Sequence, residues 1–239
     1  MRYPIRAHPW ARPLSAAKHA PHVWLFDLDN TLHNASQGIF QAIDSRMTST
    51  VAELLQLDHQ QADVLRKEYW QRYGATMIGL HRHHQTDPDL FLHLTHNFDV
   101  QPLVHSEKGL VGLLNRLPGY KLLLTNAPLD YAQRVMRAIH ALPAIDGIWS
   151  IEHMCLQGRY RPKPSLGLMQ QIVAKLGVPP QRITLVEDTL RNLKSARQCG
   201  LNTVHIFNPG TPFSGTHRGR SLYVDSRINQ LRTMRFAPR

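Results

Sequence analysis

The fold is decided by one stretch, residues 23–31, which reads VWLFDLDNT. Its first four residues, Val23 to Phe26, form a continuous apolar run, which is typical of a strand buried on both faces of a parallel sheet. Asp27 and Asp29 follow this run directly, with one residue between them. Because open α/β folds bind ligands at the carboxyl ends of their parallel strands, we expect two carboxylates at the mouth of such a site.

Further apolar runs follow and alternate with helical patterns. The runs are Tyr120–Leu124, Gly147–Ile151, Ile183–Val186 and Thr203–Phe207. The helical patterns are Leu129–His140, Ser165–Leu176 and Leu190–Cys199, the last ended by Gly200. This alternation predicts an α/β fold with a doubly wound parallel sheet, that is, a Rossmann-like core.

More than ninety residues separate the first apolar run from the second, far beyond a simple crossover helix. The interval is rich in helical pattern, and it returns through a helix near Ser106–Arg116. Its other helical patterns are Ile39–Leu57, Gln60–Tyr73 and Asp89–Thr95. We therefore predict a helical cap, residues 33–105, inserted into a catalytic core formed by residues 23–32 and 106–208.

The net charge of +11 is concentrated at the two ends of the sequence. Residues 1–22 carry four Arg or Lys and no acid, and residues 205–239 carry six Arg against one Asp. The residues between carry 18 basic and 16 acidic side chains. We interpret residues 1–22, which contain four prolines, as a disordered basic leader, and residues 209–239 as a basic C-terminal tail. Because the body is nearly neutral, nucleic acid is not favoured as the main partner.

The composition is that of a globular protein, with 42% hydrophobic and 19% charged residues. No apolar run approaches the ~20 residues of a membrane span, and the N-terminus lacks the apolar segment of a secretory signal. Cys155 and Cys199 form neither a CxxC motif nor a metal-ligand spacing, so we expect reduced, buried thiols. These features predict a cytoplasmic protein without a membrane partner, and they do not indicate an oligomeric state.

Three later strand ends carry polar groups that complete a phosphoryl-transfer site. Thr125 and Asn126 follow the second run and offer hydrogen bonds to phosphate oxygens. Lys163 lies between two prolines just before a helix, where a cation can neutralise an attacking carboxylate. Glu187 and Asp188 end the fourth run. Because clustered carboxylates repel one another, these acids together with the two after the first strand imply a divalent cation, Mg²⁺.

These four motifs, in this order, resemble the haloacid dehalogenase-like superfamily over roughly residues 22–208. The resemblance implies a phosphohydrolase in which Asp27 is the nucleophile and a magnesium ligand. It implies that Asp29 is the general acid and base and binds the metal through its backbone carbonyl, while Thr31 supports the loop. It also implies that Lys163 holds charge and that Asp188 ligates magnesium. By the same resemblance, Thr125 and Asn126 bind phosphate, and Glu187 acts through water.

The fourth motif departs from the pattern of many members, which have Gly-Asp followed four residues later by Asp. Here Glu187 and Asp188 are followed by Asn192. Either acid is a candidate for the direct metal contact, and we favour Asp188.

The stretch 68–74, EYWQRYG, continuing to Gly79, is similar to the cap of the pyrimidine 5′-nucleotidase branch of this superfamily. Physically, Tyr69, Trp70 and Tyr73 are able to stack on a base, but their spacing also fits a helix packing its face on the cap core. The leading hypothesis is hydrolysis of a pyrimidine nucleoside 5′-monophosphate. Another small phosphomonoester, such as a sugar phosphate or phosphoglycolate, is the alternative. A non-catalytic nucleic-acid-binding protein using the basic tails is the alternative of another class.

Overall fold

The computed structural model describes residues 21–207 and 222–234, and these contain a six-stranded parallel sheet. Its strands lie in the order β3-β2-β1-β6-β7-β8, and β4 and β5 form a separate antiparallel pair. The bounds are β1 Val23–Phe26, β2 Tyr120–Leu124, β3 Gly147–Trp149, β4 Cys155–Leu156, β5 Arg159–Tyr160, β6 Ile183–Glu187, β7 Asn202–Ile206 and β8 Ser226–Ile228. The predicted fold class, a doubly wound Rossmann-like sheet with inserted helices, is confirmed.

Strand β1 is central because all four of its residues are apolar and buried. It pairs in parallel with β2 on one side and with β6 on the other. The chain moves outward from β1 through β2 to β3, and then returns to the other side of β1 to add β6, β7 and β8. The strand order therefore reverses at β1, which is the position where open α/β sheets bind their ligands.

In the described part of the chain, four helices follow strands or loops of the sheet: α5 Leu110–Arg116, α6 Leu129–Ala138, α7 Leu166–Leu176 and α8 Leu190–Gln198. Alternate strand residues such as Val23 and Leu25 share one buried apolar cluster with α7 and α8. Members of this cluster from the two helices include Leu168, Met169, Ile172, Leu176, Leu190, Leu193 and Ala196. Burying each large aliphatic side chain contributes about 1.5–3 kcal/mol, so this cluster stabilises the packing of α7 and α8 on the sheet.

The chain divides into two compact units, of which Ala35–Val104 is one, and the chain before and after it forms the other. The unit Ala35–Val104, called the helical unit below, contains α1 Ile39–Leu55, α2 His59–Tyr73, α3 Thr76–His84 and α4 Pro88–His96. A capping box between Asp58 and Gln61 begins α2, and Gly74, with φ 82°, ends it. Buried Arg66 on α2 joins it to α1 through an ion pair with Asp44 at 2.8 Å, and it also pairs with Asp63 on its own helix at 2.8 Å.

The structure differs from the sequence prediction in several places. Helix α3 carries no strong apolar period and is missing from the prediction, and the predicted helix near Ser106–Arg116 begins only at Leu110. Residues 1–20 of the predicted leader lie outside the described residues, whereas the carbonyl of His22 accepts a hydrogen bond from Tyr120 at 2.9 Å. The two cysteines are only partly buried.

The C-terminal segment is the clearest difference. Of the predicted tail 209–239, residues 222–234 are described, and Ser226–Ile228 adds β8 to the edge of the sheet. Asp225 fixes this strand by accepting a hydrogen bond from the backbone of Thr203 at 2.8 Å and pairing with Arg197 at 3.0 Å. Three residues, of which Ile228 alone is apolar, are too short a stretch to give a strand pattern in sequence, so these contacts are needed to reveal the strand. Within the described residues, no helix has the length and apolarity to cross a bilayer.

Candidate active site

The register of the sheet brings the sequence-predicted residues of three strands to one edge. Phe26 pairs with Leu123 and with Val186, so Asp27 follows β1 beside the ends of both neighbouring strands. The backbone N–H of Asp27 still donates to the carbonyl of Val186, at 3.0 Å. Glu187 is the last residue of β6. The two acidic segments are therefore adjacent in space because their strands are paired.

The loop after β1 holds the Asp27 carboxylate in a defined orientation. Thr31 donates from Oγ1 to Asp27 Oδ2 at 3.2 Å, and its backbone N–H donates to the carbonyl of Leu28. Asn30, between them, adopts a left-handed backbone with φ 63°, a conformation that asparagine tolerates better than most residues. The sequence DLDNT therefore forms a tight turn in which the threonine hydroxyl faces back to the first aspartate.

Lys163 lies at the centre of the charged cluster and is 3% exposed. Its Nζ donates to Asp27 Oδ1 at 2.6 Å and to Glu187 Oε2 at 2.7 Å. Although burial opposes it, the two carboxylates together hold the pKa of Lys163 above its ordinary value, so the amine is charged. A buried ammonium shared by two carboxylates satisfies the charge requirement that burial imposes on each.

Asn126 fixes the position of that lysine. Its side chain accepts from the backbone N–H of Lys163 at 2.9 Å and donates to the carbonyl of the same residue at 3.0 Å. Thr125, which is buried, accepts at Oγ1 from the backbone N–H of Ala127 at 3.0 Å. Both residues lie where the sequence predicts them, at the end of β2, and the Asn126 amide also acts on the backbone of the lysine loop.

One lysine does not neutralise the acids around it. Asp27, Glu187 and Asp188 are all buried, and one carboxylate oxygen from each lies within 4.8 Å of the others. Burial and the Glu187 charge raise the pKa of Asp27 to about 7 despite the opposing Lys163. Burial, Glu187 and Asp27 raise the pKa of Asp188 to about 9. Three carboxylates beside one ammonium therefore retain protons at neutral pH or require another cation.

The donor set fits a hard divalent cation such as Mg²⁺, which prefers carboxylate oxygens. Within the described residues, these three acids are the one group of at least three potential ligands that meets this distance limit. Glu187 uses Oε2 for Lys163 and accepts at Oε1 from the backbone N–H of Thr189 at 3.2 Å. Asp188 accepts from the Thr189 hydroxyl at 3.1 Å, and its carbonyl is hydrogen bonded to buried His205 at 3.0 Å.

Two residues near Asp29 were not found by the sequence analysis. Asp29 Oδ1 lies 2.9 Å from Nε2 of His33 and accepts a hydrogen bond of 2.7 Å from the hydroxyl of Tyr131 on α6. Both partners are buried. His33 lies four residues after Asp29, a spacing that carries no signal outside a helix. Tyr131 is 102 residues away and reads in sequence as an ordinary apolar position of its helix.

The aromatic residues predicted to contact a base lie in the helical unit and differ in exposure. Tyr69 is buried, and its hydroxyl is 2.8 Å from Nε2 of His84. Its ring fills the space beside Gly79, where a Cβ atom would lie 2.2 Å from the ring. Tyr73 is partly exposed, with its hydroxyl 2.6 Å from Nε2 of His83, and Trp70 is 43% exposed. The prediction therefore separates into one packed tyrosine and two accessible rings.

A family model described as haloacid dehalogenase-like hydrolase matches residues 22–200. The match covers most of the chain, including every strand-end motif described above, and the chain belongs to this family. The predicted superfamily is thus confirmed. The parallel sheet and the charged cluster of Asp27, Lys163, Glu187 and Asp188 are the physical features that explain this match.

Among curated relatives, the chain is similar to Phosphate metabolism protein 8 of Saccharomyces cerevisiae, with 25% identity over 200 residues. These residues cover 78% of this chain but 62% of that protein, so the chain spans less than two thirds of its relative.

Three solved structures illustrate the shared fold. A HAD phosphatase from Thermococcus onnurineus has a TM-score of 0.59 and 18% identity, covering 88% of this chain and 94% of that one. CbbY from Rhodobacter sphaeroides, solved in complex with phosphate, has a TM-score of 0.59 and 18% identity, covering 89% and 96%. A CbbY mutant, solved with xylulose-(1,5)bisphosphate, has a TM-score of 0.57 and 19% identity over 89% and 96%. At these identities the likeness shows the fold alone.

Proposed function

We propose that this protein is a magnesium-dependent phosphomonoesterase that works through an aspartyl-phosphate on Asp27. The observation that carries the proposal is the buried cluster in which Lys163 bridges Asp27 and Glu187 while Asp188 lies within 4.8 Å of both acids. Such a cluster has a fixed nucleophile, a fixed cation and surplus carboxylate charge that is able to hold a divalent metal ion. A nucleophile and positive charge beside the phosphoryl group are the elements that phosphoryl transfer to a carboxylate requires.

In the first half of the reaction, the Asp27 carboxylate attacks phosphorus and forms a carboxylate oxygen–phosphorus bond as the ester P–O bond breaks. Lys163 and Thr31 hold its two oxygens, so the carboxylate is oriented before substrate arrives. Asp29 donates a proton to the departing alkoxide. In the second half, Asp29 removes a proton from water, whose oxygen attacks phosphorus and releases inorganic phosphate and free Asp27.

Asp27 and Asp188 would hold the magnesium ion directly, together with the backbone carbonyl of Asp29, and Glu187 would act through water. Glu187 already uses both oxygens inside the protein, which supports this division of roles. When bound, the ion would neutralise the carboxylates and polarise the phosphoryl oxygens. Thr125 and Asn126 complete the phosphate-binding end of the site.

The chemistry at the sheet edge acts on the phosphoryl group, which every monoester shares. We therefore propose that the helical unit, residues 35–104, selects the leaving group, and that the substrate is a pyrimidine nucleoside 5′-monophosphate. Trp70 and Tyr73 present ring surface for a base, and the guanidinium groups of Arg72 and Arg82 each lie 5.5 Å from the Tyr73 ring centre. Tyr69, which lacks exposed ring surface, supports the other two by packing.

A sugar phosphate is the second candidate, and phosphoglycolate belongs to the same class of small monoesters. The CbbY mutant that shares this fold holds a sugar bisphosphate, which supports this candidate. Arg72 and Arg82 at the Tyr73 ring also support this candidate. Their positive charge would attract an anionic leaving group, and it is equally compatible with a base.

The test is a phosphate-release screen with Mg²⁺ across nucleoside 5′-monophosphates, sugar phosphates and phosphoglycolate. Asp27→Asn should lower turnover at least ~10⁴-fold without unfolding the protein, as expected for loss of a nucleophile. Asp130→Asn is the matched control, because that carboxylate is 73% exposed on α6. A folded Asp27→Asn variant with a tenth of the wild-type activity would overturn the nucleophile assignment.

The base contact is tested separately with Trp70→Ala and Tyr73→Ala. If the rings stack on a base, each contact contributes on the order of 1–3 kcal/mol. Its loss should lower kcat/KM for a pyrimidine nucleotide by roughly 5- to 150-fold, and far less for p-nitrophenyl phosphate. Equal losses on both substrates, with a lower melting temperature as expected for buried Tyr69→Ala, would assign these rings to packing.

A further inference from the structure

The loop between β2 and α6, residues 125–128, begins with the two residues proposed above to bind phosphate. The segment that follows β3 lies beside this loop, because β2 and β3 are paired in parallel and end at the same edge of the sheet. The backbone N–H of Thr125 donates to the carbonyl of Trp149 at 2.9 Å, and that of Ile151 donates to the carbonyl of Ala127 at 3.2 Å. These hydrogen bonds continue the pairing past the two strand ends, so the segment after β3 guides the path of the loop.

Glu152 joins this segment to the start of α6. Both of its carboxylate oxygens accept from the backbone N–H of Leu129, at 2.9 Å and 3.1 Å. Leu129 is the first residue of α6, and Pro128 before it has no side-chain polar atom with which to cap the helix. Glu152, 23 residues further along the chain, therefore supplies the acceptor that the local sequence lacks. Its negative charge also lies at the end of the helix dipole that favours an anion.

A buried serine holds the Glu152 carboxylate in place. Ser150 is fully buried, and its hydroxyl donates to Glu152 Oε2 and lies 2.9 Å from Nδ1 of His153. The backbone N–H of Ser150 donates to the same ring nitrogen at 3.1 Å. Ser150 and His153 thus close the short turn that carries Glu152, so the carboxylate approaches Leu129 from a fixed direction.

The path of the loop decides where its polar groups point. Thr125 Oγ1 accepts from the backbone N–H of Ala127 at 3.0 Å, and because this bond uses a lone pair, the hydroxyl keeps its own proton to donate. The direction of that proton depends on Ala127, and hence on how the loop enters α6. Asn126 is held from the other side by its two hydrogen bonds to the backbone of Lys163. Glu152 fixes the end of the loop that these contacts leave unfixed.

We infer that Glu152 is a positioning residue for phosphate binding, which acts through the backbone of the β2–α6 loop and not on the substrate itself. This inference rests on the proposed function, because it assumes that Thr125 and Asn126 bind the phosphoryl group. It separates phosphate binding from metal binding. The carboxylates that would hold Mg²⁺ follow β1 and β6, whereas Glu152 follows β3, at the edge of the sheet beyond β2. Loss of Glu152 should therefore weaken phosphate binding and leave Mg²⁺ affinity unchanged.

The experiment measures two affinities in wild type and in Glu152→Ala. The first is the affinity of the Mg²⁺-loaded protein for inorganic phosphate, obtained from its competitive inhibition of monoester hydrolysis. The second is the affinity for Mg²⁺ without phosphate, measured by calorimetry. We expect phosphate affinity and kcat/KM to fall roughly 10- to 100-fold in Glu152→Ala, since a displacement of about 1 Å in a positioned group costs up to about 10²-fold. The affinity for Mg²⁺ should stay at the wild-type value.

Two further variants test the cause of the loss. Glu152→Gln keeps a side-chain oxygen that can accept from the backbone N–H of Leu129, and it should recover most of the lost phosphate affinity. Asp130→Asn is the matched control, because it removes a negative charge from the first turn of the same helix, where Asp130 pairs with Arg134 at 2.9 Å. It should keep the wild-type phosphate affinity.

Melting temperatures of all variants set the assay temperature, which must lie well below the lowest of them so that unfolding does not enter. If Glu152→Ala does not fold, Ser150→Ala takes its place. This variant removes the hydroxyl that holds Glu152 Oε2, and it should weaken phosphate binding at least about twofold, which corresponds to part of one hydrogen bond.

Unchanged phosphate affinity in the folded variant, or a parallel loss of Mg²⁺ affinity, would overturn the positioning role. Equal losses in Glu152→Gln and Glu152→Ala would also overturn it, as would an equal loss in Asp130→Asn, which would assign the effect to helix charge. Failure of the proposed function gives another result: wild type releases no phosphate from any monoester, and then both proposals fall.

Discussion

Lys163→Met removes a buried positive charge from the acid cluster while keeping a side chain of similar length. In wild type, Nζ contacts Asp27 Oδ1 at 2.6 Å and Glu187 Oε2 at 2.7 Å. Without it, three buried carboxyl groups with oxygens within 4.8 Å of one another lose their internal cation. The variant must relieve this repulsion by taking up a proton or a metal ion.

The cost of the proton follows from linkage. Holding one additional aspartic acid in its neutral form at pH 7, against an unperturbed pKa of 3.8, costs about 4 kcal/mol, since each pH unit corresponds to about 1.4 kcal/mol. At pH 5 the same step costs about 2 kcal/mol. The first value lies within the 3–5 kcal/mol typical for breaking one side of a buried ion pair. Destabilisation by Lys163→Met should therefore increase with pH, because the native variant holds a proton that the unfolded chain releases.

The assay is urea unfolding of the metal-free protein at pH 5 and pH 7, followed by the same titration with saturating Mg²⁺. We expect the deficit of Lys163→Met to grow by about 2–3 kcal/mol between the two pH values, and Mg²⁺ to recover much of it. Hydrolytic activity should fall at least ~10²-fold, as for loss of a donor that stabilises transition-state charge. Lys194→Met, at an exposed position of α8, is the control and should stay within about 0.5 kcal/mol of wild type.

A deficit of the same size at both pH values would refute the reasoning, because it would mean that lost packing and not uncompensated charge explains the effect. An unchanged metal-free stability would refute it more directly, since the ion pairs would then contribute nothing measurable.

Three further predictions follow from the same geometry. Wild-type protein without metal should lose stability as pH rises from about 4 to 9. The reason is that the folded-state pKa values of Asp27 and Asp188, about 7 and about 9, lie above their unfolded values. In unfolding titrations, Mg²⁺ should weaken this pH dependence. Asp188→Asn should weaken Mg²⁺ affinity more than Glu187→Gln does, and the reverse order in a calorimetric titration would show that Glu187 makes the direct contact. Gly79→Ala should destabilise the helical unit, because the added Cβ would lie 2.2 Å from a buried tyrosine ring, whereas Gly112→Ala, with its nearest neighbour at 3.5 Å, should be neutral or stabilising by up to about 1 kcal/mol in melting experiments.

The fold class and the family could be predicted from the sequence because their signals are local. A four-residue apolar run followed by two aspartates defines both β1 and the edge at which it ends. The alternation of later runs with helical patterns, and the long helical interval after Asp29, need no knowledge of distant contacts. The other strand ends could also be predicted locally. A buried parallel strand is apolar throughout, so the change from apolar to polar residues marks its carboxyl end.

Other features depend on residues far apart in sequence, and only the tertiary structure decided them. Tyr131 on α6 is hydrogen bonded to Asp29, which is 102 residues away in sequence. Asn126 is hydrogen bonded to the backbone of Lys163, 37 residues away. Strand β8 has no pattern of its own and forms because β7 offers an open edge.

The cap aromatics show the same limit. The sequence leaves stacking and packing equally open for Tyr69 and Trp70, since adjacent helical residues point about 100° apart and no local pattern says which direction faces the core. The structure buries Tyr69 against Gly79 and leaves Trp70 exposed. The sequence by itself determines which chemical groups lie at the end of each strand. The side chains that orient those groups come from distant segments of the chain. Their contacts depend on tertiary packing, so no local sequence pattern predicts them.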